Sequence, residues 1–230
     1  MAQALHEAGL NAVFSYAGRT QAPVAQPLET RIGGFGGVAG LISYLRAAGI
    51  SHVIDATHPF AKQMSENAIS ACVETKIPLL SLERAPWRAV FGDVWTHVQG
   101  IDAAVDALPE KGRVFLAIGK QTLAPFAAKT NHYLLRLVDP PQALPLPDCE
   151  AVIARGPFTV AGDADLLRSH RITHIVAKNS GGTGAEAKLI AARALKIPVI
   201  LIERPKLRER EQVGSVREAM DWLHQARLGV

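Results

Sequence analysis

Three stretches of this chain set hydroxyls, a histidine or cations among glycines and prolines, two of them directly after an apolar run. The first is Val53-Ile54-Asp55-Ala56-Thr57-His58-Pro59-Phe60-Ala61. Proline suits a first helical turn, where its missing N–H would have had no partner. A helix is therefore expected from Pro59. Thr57 and His58 then fall at the carboxyl end of a strand, where open α/β sheets bind ligands. The Thr57 hydroxyl can cap the helix or hold a phosphate. His58 can donate a hydrogen bond or a proton. A merely capping threonine and a packing histidine remain the alternative.

The second stretch is Arg31-Ile32-Gly33-Gly34-Phe35-Gly36-Gly37, just ahead of helical spacing. Glycines let the backbone approach a ligand closely. The free N–H groups of a helix start favour an anion. A mobile connector would read the same way. The third is Ala177-Lys178-Asn179-Ser180-Gly181-Gly182-Thr183-Gly184, again strand to loop to helix. Its lysine, hydroxyls and glycines make an anion cradle. Lys188 lies about one turn inside the following helix and can point to the same pocket. The spacing is not that of a P-loop. Smaller features set a cation near a turn: Glu83 to Trp87, Gly119-Lys120 and Arg155 to Phe158.

Other chemistries have little support. His170 and His174 have the spacing of a helical zinc pair but fall where a loop enters a strand, and no third ligand stands beside them, so no metal site is expected. No serine occupies a nucleophile elbow.

Positioning these loops requires alternating strands and helices. Apolar runs at Val13–Tyr16, His52–Ala56, Leu79–Leu82, Val94–Val98, Val114–Ile118, Tyr133–Val138, Ile175–Ala177 and Val199–Ile202 read as strands, with Val152-Ile153 as a further short one. Helices are expected at Val38–Ala48, Phe60–Thr75, Ile101–Leu108, Thr122–Lys129, Ala161–Ser169, Ala185–Ala194 and Val216–Arg227. Continuous apolar strands between helices predict parallel sheets covered on both faces. The polar break Pro109 to Gly112 divides the chain into two α/β domains, 1–108 and 109–230, each Rossmann-like or flavodoxin-like, with a cleft between them. The chain opens on a helical pattern, with Ala2, Leu5 and Ala8 on one face. A dinucleotide-binding domain usually opens on a strand and a glycine turn. The first strand of the N-terminal domain is therefore expected to be missing. A fold that begins with a helix is the alternative.

The 230 residues are 48% hydrophobic and 20% charged, an ordinary globular balance. The formal net charge of +4 suits an anionic ligand and is too small to argue for nucleic acid. No apolar run is long enough to span a membrane, and a secretory signal is not expected from the first ten residues. Two cysteines make no disulfide framework. A cytoplasmic protein is expected.

The glycine loop from Arg31 to Gly37, the run DATHPFAKQMSEN from Asp55 to Asn67, the turn Arg84 to Trp87, the strand end at Gly119, the turn Arg155 to Phe158 and the run KNSGGTGAEAKLIAARALKIPVILIERP from Lys178 to Pro205 together resemble the precorrin-6A reductase family of cobalamin biosynthesis. The likeness spans nearly the whole chain in order. It implies NADPH-dependent reduction of one C=C bond of precorrin-6A to give precorrin-6B. Family members begin with a strand and a glycine-threonine turn, which this chain lacks. The implied cofactor residues are Gly33, Gly34, Gly36, Gly37, Thr57, His58 and Pro59, with Arg19 as partner of a 2′-phosphate. Arg84, Lys178, Asn179, Ser180, Gly181, Gly182 and Lys188 are implied for the substrate, and His58 as proton donor. The partner is a small tetrapyrrole, and the oligomeric state is left open, a monomer included. The competing readings are a cobalt-precorrin-6A reductase and a non-catalytic module for an anionic nucleotide or tetrapyrrole.

Overall fold

The computed structural model describes residues 1–18, 24–141, 143–144 and 146–228, with side chains described through residue 225. In chain order the first elements are α1 (Ala2–Glu7), β1 (Val13–Tyr16), β2 (Glu29–Ile32), α2 (Gly37–Ala47), β3 (Val53–Asp55), α3 (Lys62–Thr75) and β4 (Leu79–Leu82). Next come β5 (Trp95–Val98), α4 (Ile101–Asp106), β6 (Arg113–Ala117), β7 (His132–Leu137), β8 (Cys149–Ile153), α5 (Val160–Ser169), β9 (His174–Lys178), α6 (Ala187–Leu195) and β10 (Val199–Ile202). The chain closes with β11 (Gln212–Val213) and α7 (Val216–Leu228). No helix among the described residues is long and apolar enough to cross a membrane.

The chain divides into two units, but not at the expected place. One unit is Met1–Arg84 with Lys206–Val230, and the other is Ala85–Pro205. The boundary expected between 108 and 109 falls inside the second unit. The reason lies in strand pairing. β5 pairs with β10, Trp95 opposite Val199, so it belongs to the later sheet. β11 returns to pair with β4, Gln212 opposite Ser81. Pairing partners far apart in sequence leave no mark in local composition.

The first unit holds the parallel pair β1-β2 and the parallel sheet β11-β4-β3. Strand β2 is absent from the sequence expectation because Glu-Thr-Arg-Ile carries no apolar run and is mostly exposed. Helices α2 and α3 pack through Leu41, Ile42, Leu45, Ala68, Ala71 and Cys72. Burial pushes the Cys72 thiol up to about 11, assisted by the negative charge of Asp55, so it is an inert core group.

The second unit is one parallel sheet in the order β5-β10-β9-β6-β7-β8. Its central strands are apolar end to end, as burial on both faces demands: Phe115, Leu134, Ile175 and Leu201 are all fully buried. Each such side chain contributes about 1.5–3 kcal/mol. Helix α5 begins where the Thr159 hydroxyl accepts the Gly162 N–H at 3.1 Å. The helix expected at Thr122–Lys129 is instead two 3-10 turns, Lys120–Thr122 and Ala124–Ala128, the second with Pro125 in its opening turn. Strands β6, β7 and β8 step outward in one direction, whereas β9 lies on the other side of β6. The reversal makes the carboxyl ends of β6 and β9 the switch point, where such sheets open a crevice.

The opposite edge is tied by charge. His132 bonds Asp148 at 2.7 Å and Glu150 at 3.0 Å, while His170 and Arg113 reach Glu150 at 2.8 and 3.2 Å. These groups sit at the amino ends of β6, β7 and β8 and in the turn before β9. Glu150 and Asp148 hold His132 protonated above the usual imidazole range, and the histidines hold Glu150 below the usual carboxylate range. The His132 contribution to stability is complete below pH about 6.5 and is lost as pH rises through its raised pKa. The Glu150 contribution is complete above pH about 4.5 and is lost as pH falls through its lowered pKa. With both groups partly solvated, the sum stays under about 1 kcal/mol. Between pH 6.5 and 9 the Glu150→Gln protein is expected to lose about 2 °C less in melting temperature than the parent. Parallel melting curves across that range would contradict this assignment.

Candidate active site

In the first unit the glycine loop leads from β2 into α2. The Gly33 N–H donates to the Tyr16 carbonyl at 2.9 Å, which ties the loop to β1. Gly33, Gly36 and Gly37 have φ of 119°, 80° and 81°, a region where side chains other than glycine are strained. A Cβ built on Gly33, Gly34, Gly36 or Gly37 meets nothing within 4 Å, so the space above the loop is open. Helix α2 starts at Gly36 with no side-chain cap, leaving its first N–H groups for a ligand. An open glycine surface ahead of an uncapped helix of eleven residues fits the pyrophosphate of a dinucleotide.

Two residues to which the sequence reading gives no role hold this loop. The Arg31 guanidinium donates to Ser15 Oγ at 2.9 Å and to the carbonyls of Gly33 and Gly34 at 2.9 and 3.1 Å. It also lies 3.8 Å from the centroid of the Phe35 ring. Gly40 sits directly beneath the Phe35 carbonyl, and a Cβ there would stand 1.7 Å from that oxygen. The signal for Gly40 was the fifth glycine of a cluster in which only four count as loop.

At the carboxyl end of β3, Asp55 is buried and receives both the Thr57 N–H at 3.0 Å and the Thr57 hydroxyl at 2.7 Å. The Thr57 hydroxyl proton is therefore spent, and its oxygen is left to accept rather than to donate to a phosphate. His58 Nδ1 accepts the Phe60 N–H at 3.2 Å, which places the ring proton on Nε2. Pro59 is buried in a turn, and α3 begins at Lys62 rather than at Pro59. Arg84 closes the first unit two residues after β4. Arg19 lies outside the described residues.

In the second unit the loop after β9 is a rigid structure. Asn179 is buried, and its amide binds both main-chain groups of Trp87, accepting the N–H at 2.8 Å and donating to the carbonyl at 3.2 Å. The Trp87 indole N–H donates to the Gly182 carbonyl at 2.8 Å. Arg204 holds the carbonyls of Asn179 and Ser180 at 2.8 and 3.2 Å. Gly181 and Gly182 have φ of 68° and 73°. A Cβ on Gly181 would stand 2.1 Å from the Ala85 carbonyl oxygen. Asn179, expected as a substrate ligand, instead has its side chain committed to shaping the loop.

The loop frames a cation. Lys188 is 7% exposed, with Nζ 4.9 Å from the Trp87 ring centroid and donating to the Ala185 carbonyl. Burial, then the nearby Arg136, push its amine down to about 8, against the pull of Asp163. Asp163 is already paired with Arg136, whose guanidinium lies 4.0 Å from the Phe158 centroid and 4.9 Å from the Phe115 centroid. Two cations share one anion in this buried cluster. Arg136 escaped sequence reasoning because it stands inside the apolar run Tyr133–Val138. Lys178 ends β9, and burial lowers its amine as well.

Comparison with known proteins places this geometry in a lineage. The model of the family described as precorrin-6x reductase CbiJ/CobK matches residues 1–224. The chain belongs to that family. Among its relatives in the precorrin-6x reductase family, the precorrin-6A reductase of Rhodobacter capsulatus is 65% identical over 226 residues, covering 97% of this chain and 90% of the relative. The precorrin-6A reductase of Mycobacterium tuberculosis is 42% identical, with 92% and 87% covered. A cobalt-precorrin-6A reductase of Priestia megaterium is 32% identical, with 73% and 70% covered. A solved structure, CobK precorrin-6A reductase, superposes with a TM-score of 0.94 at 64% identity, covering 97% of this chain and 90% of the other.

Proposed function

We propose that this chain is a cytoplasmic precorrin-6A reductase of cobalamin biosynthesis that uses NADPH. The observation that carries the reading is the 65% identity, across 97% of the chain, to a relative bearing that name. The metal-free substrate is preferred over its cobalt form because relatives named for the metal-free reaction are the more similar, at 65% and 42% against 32%.

When bound, the reduced dinucleotide supplies a hydride to one C=C bond of the substrate. The amides of Gly33, Gly34, Gly36 and Gly37 and the start of α2 hold its pyrophosphate. Arg31 keeps that loop in shape. The Thr57 oxygen accepts a hydrogen bond from the cofactor, the His58 Nε2–H donates one, and Pro59 fixes the turn that sets them. Arg19 is the partner proposed for a 2′-phosphate. In the second unit Lys188 and Lys178 anchor substrate carboxylates. Arg84 is proposed as a substrate residue on the strength of the family resemblance. Asn179, Ser180, Gly181 and Gly182 give the anchoring loop its form. Because a protonated His58 would aim an Nδ1–H at the Phe60 N–H, His58 serves to orient rather than to donate a proton.

The direct test is incubation with precorrin-6A and NADPH, followed by mass analysis. The expected result is consumption of NADPH matched to a product heavier by two hydrogens. Unchanged NADPH and substrate would end the proposal. Lys188→Met sharpens it. A charge-assisted hydrogen bond contributes about 1.5–3 kcal/mol, so KM for precorrin-6A is expected to rise roughly 10–100-fold. Asp163 keeps its Arg136 partner when Lys188 is removed, so the melting temperature is expected to stay near that of the parent. An unaltered KM would remove Lys188 from the substrate site.

A further inference from the structure

A second histidine–carboxylate arrangement lies at the carboxyl edge of the sheet in the second unit. His97 Nδ1 stands 2.5 Å from Glu203 Oε1. His97 is the penultimate residue of β5, and Glu203 directly follows β10. The two strands pair with Leu201 opposite His97, and the Glu203 N–H donates to the Val98 carbonyl at 2.9 Å. Strand alternation therefore puts His97, Leu201 and Glu203 on one face. The other oxygen of Glu203 receives the Asn179 amide at 3.4 Å. A chain of contacts thus runs from Trp87 through Asn179 and Glu203 to His97.

Position separates this dyad from the other paired histidines of the unit. His132 and His170 meet Glu150 at the amino ends of the strands, away from any ligand-binding edge. His97 and Glu203 sit at the carboxyl ends of β5 and β10. Strand β10 is next to β9, about 4.8 Å away, and β9 ends at Lys178. The His97 side chain is 48% exposed and that of Glu203 is 27% exposed, so solvent reaches the imidazole. Nε2 of His97 makes no hydrogen bond among the described residues. A carboxylate on Nδ1 fixes the ring orientation, leaving Nε2–H as the proton to be given away.

We propose that His97 donates the proton of the reduction, with Glu203 orienting its ring and Asn179 holding Glu203. The proposal rests on the reductase reading. Hydride addition at one carbon of the C=C bond, from the reduced dinucleotide that is oxidised in the step, leaves the π electron pair. That pair takes the Nε2 proton and forms the second C–H bond at the other carbon of the same bond. His97 is left neutral and recovers a proton from water. Net, the substrate gains a hydride and a proton, and no further oxidant or reductant takes part.

The test is steady-state turnover of precorrin-6A by the whole chain and its His97→Ala and Glu203→Gln variants, with melting curves and NADP⁺ titrations alongside. Positioned proton transfer contributes about 10²–10⁴-fold, so His97→Ala is expected to lower kcat by at least about 100-fold. Added imidazole is expected to restore part of the rate. Glu203→Gln is expected to lower kcat by a smaller factor, with no gain from imidazole. NADP⁺ affinity and melting temperature stay near those of the parent in both. A His97→Ala protein that keeps kcat within about twofold would overturn the proposal, and so would a folded one whose lost rate imidazole does not restore. If the parent itself fails to reduce precorrin-6A, the reductase reading falls instead.

Discussion

Gly181→Ala is expected to lower the melting temperature and to abolish turnover. The residue has φ of 68°, and an added Cβ would stand 2.1 Å from the Ala85 carbonyl oxygen and 2.6 Å from an Arg204 nitrogen. The backbone strain alone costs about 1–2 kcal/mol. The carbonyl cannot yield without releasing Trp87, whose main chain is bound two residues later by Asn179. A total of about 3 kcal/mol corresponds to roughly 6–12 °C for a protein of this size. Trp87 would leave the Lys188 ammonium, and the anchoring loop would lose its form. A thermal melt and a turnover assay check this, and a variant with parental values for both would show that the loop is not as tightly built as described.

Gly40→Ala should strike the cofactor instead. Its Cβ would lie 1.7 Å from the Phe35 carbonyl oxygen, inside any contact distance. Phe35 must then move, and its ring carries the Arg31 guanidinium that binds the carbonyls of Gly33 and Gly34. The amides at the start of α2 would no longer converge. A loss of about 3 kcal/mol in binding is about 100-fold in Kd for NADPH, read by fluorescence titration. Retained affinity would place the pyrophosphate elsewhere.

These two glycines also mark where the sequence is readable. Asp55 to Pro59 and Lys178 to Gly182 follow apolar runs, so their place at strand ends can be worked out from local pattern, whereas Gly33 to Gly37 are placed only by the helical spacing that follows them. The parallel sheets are legible for the same reason, since continuous apolar strands must be covered on both faces. Long-range pairing is not legible. Nothing local to Trp95–Val98 says that it joins β10, or that Gln212-Val213 returns to β4, and so the expected boundary at 108/109 misses both crossings. Strand β2 is polar and mostly exposed, and carries no hydrophobic signal. Side-chain commitments are hidden as well. Asn179 looks like a ligand in a loop of hydroxyls and glycines, yet its amide is spent on Trp87, 92 residues away. Thr57 resembles a phosphate donor, but the adjacent Asp55 takes its proton. His97 has no sequence signal, because its partner Glu203 lies 106 residues away.

The central assignment gives the dinucleotide to the glycine loop of the first unit and the substrate to the β9 loop of the second. Crossed equilibrium titrations of NADPH and precorrin-6A against the Gly40→Ala and Lys188→Met proteins test it most directly. Gly40→Ala should lose NADPH affinity and keep precorrin-6A affinity, while Lys188→Met should do the reverse. Either variant losing the other's ligand, or neither losing any, would contradict the assignment.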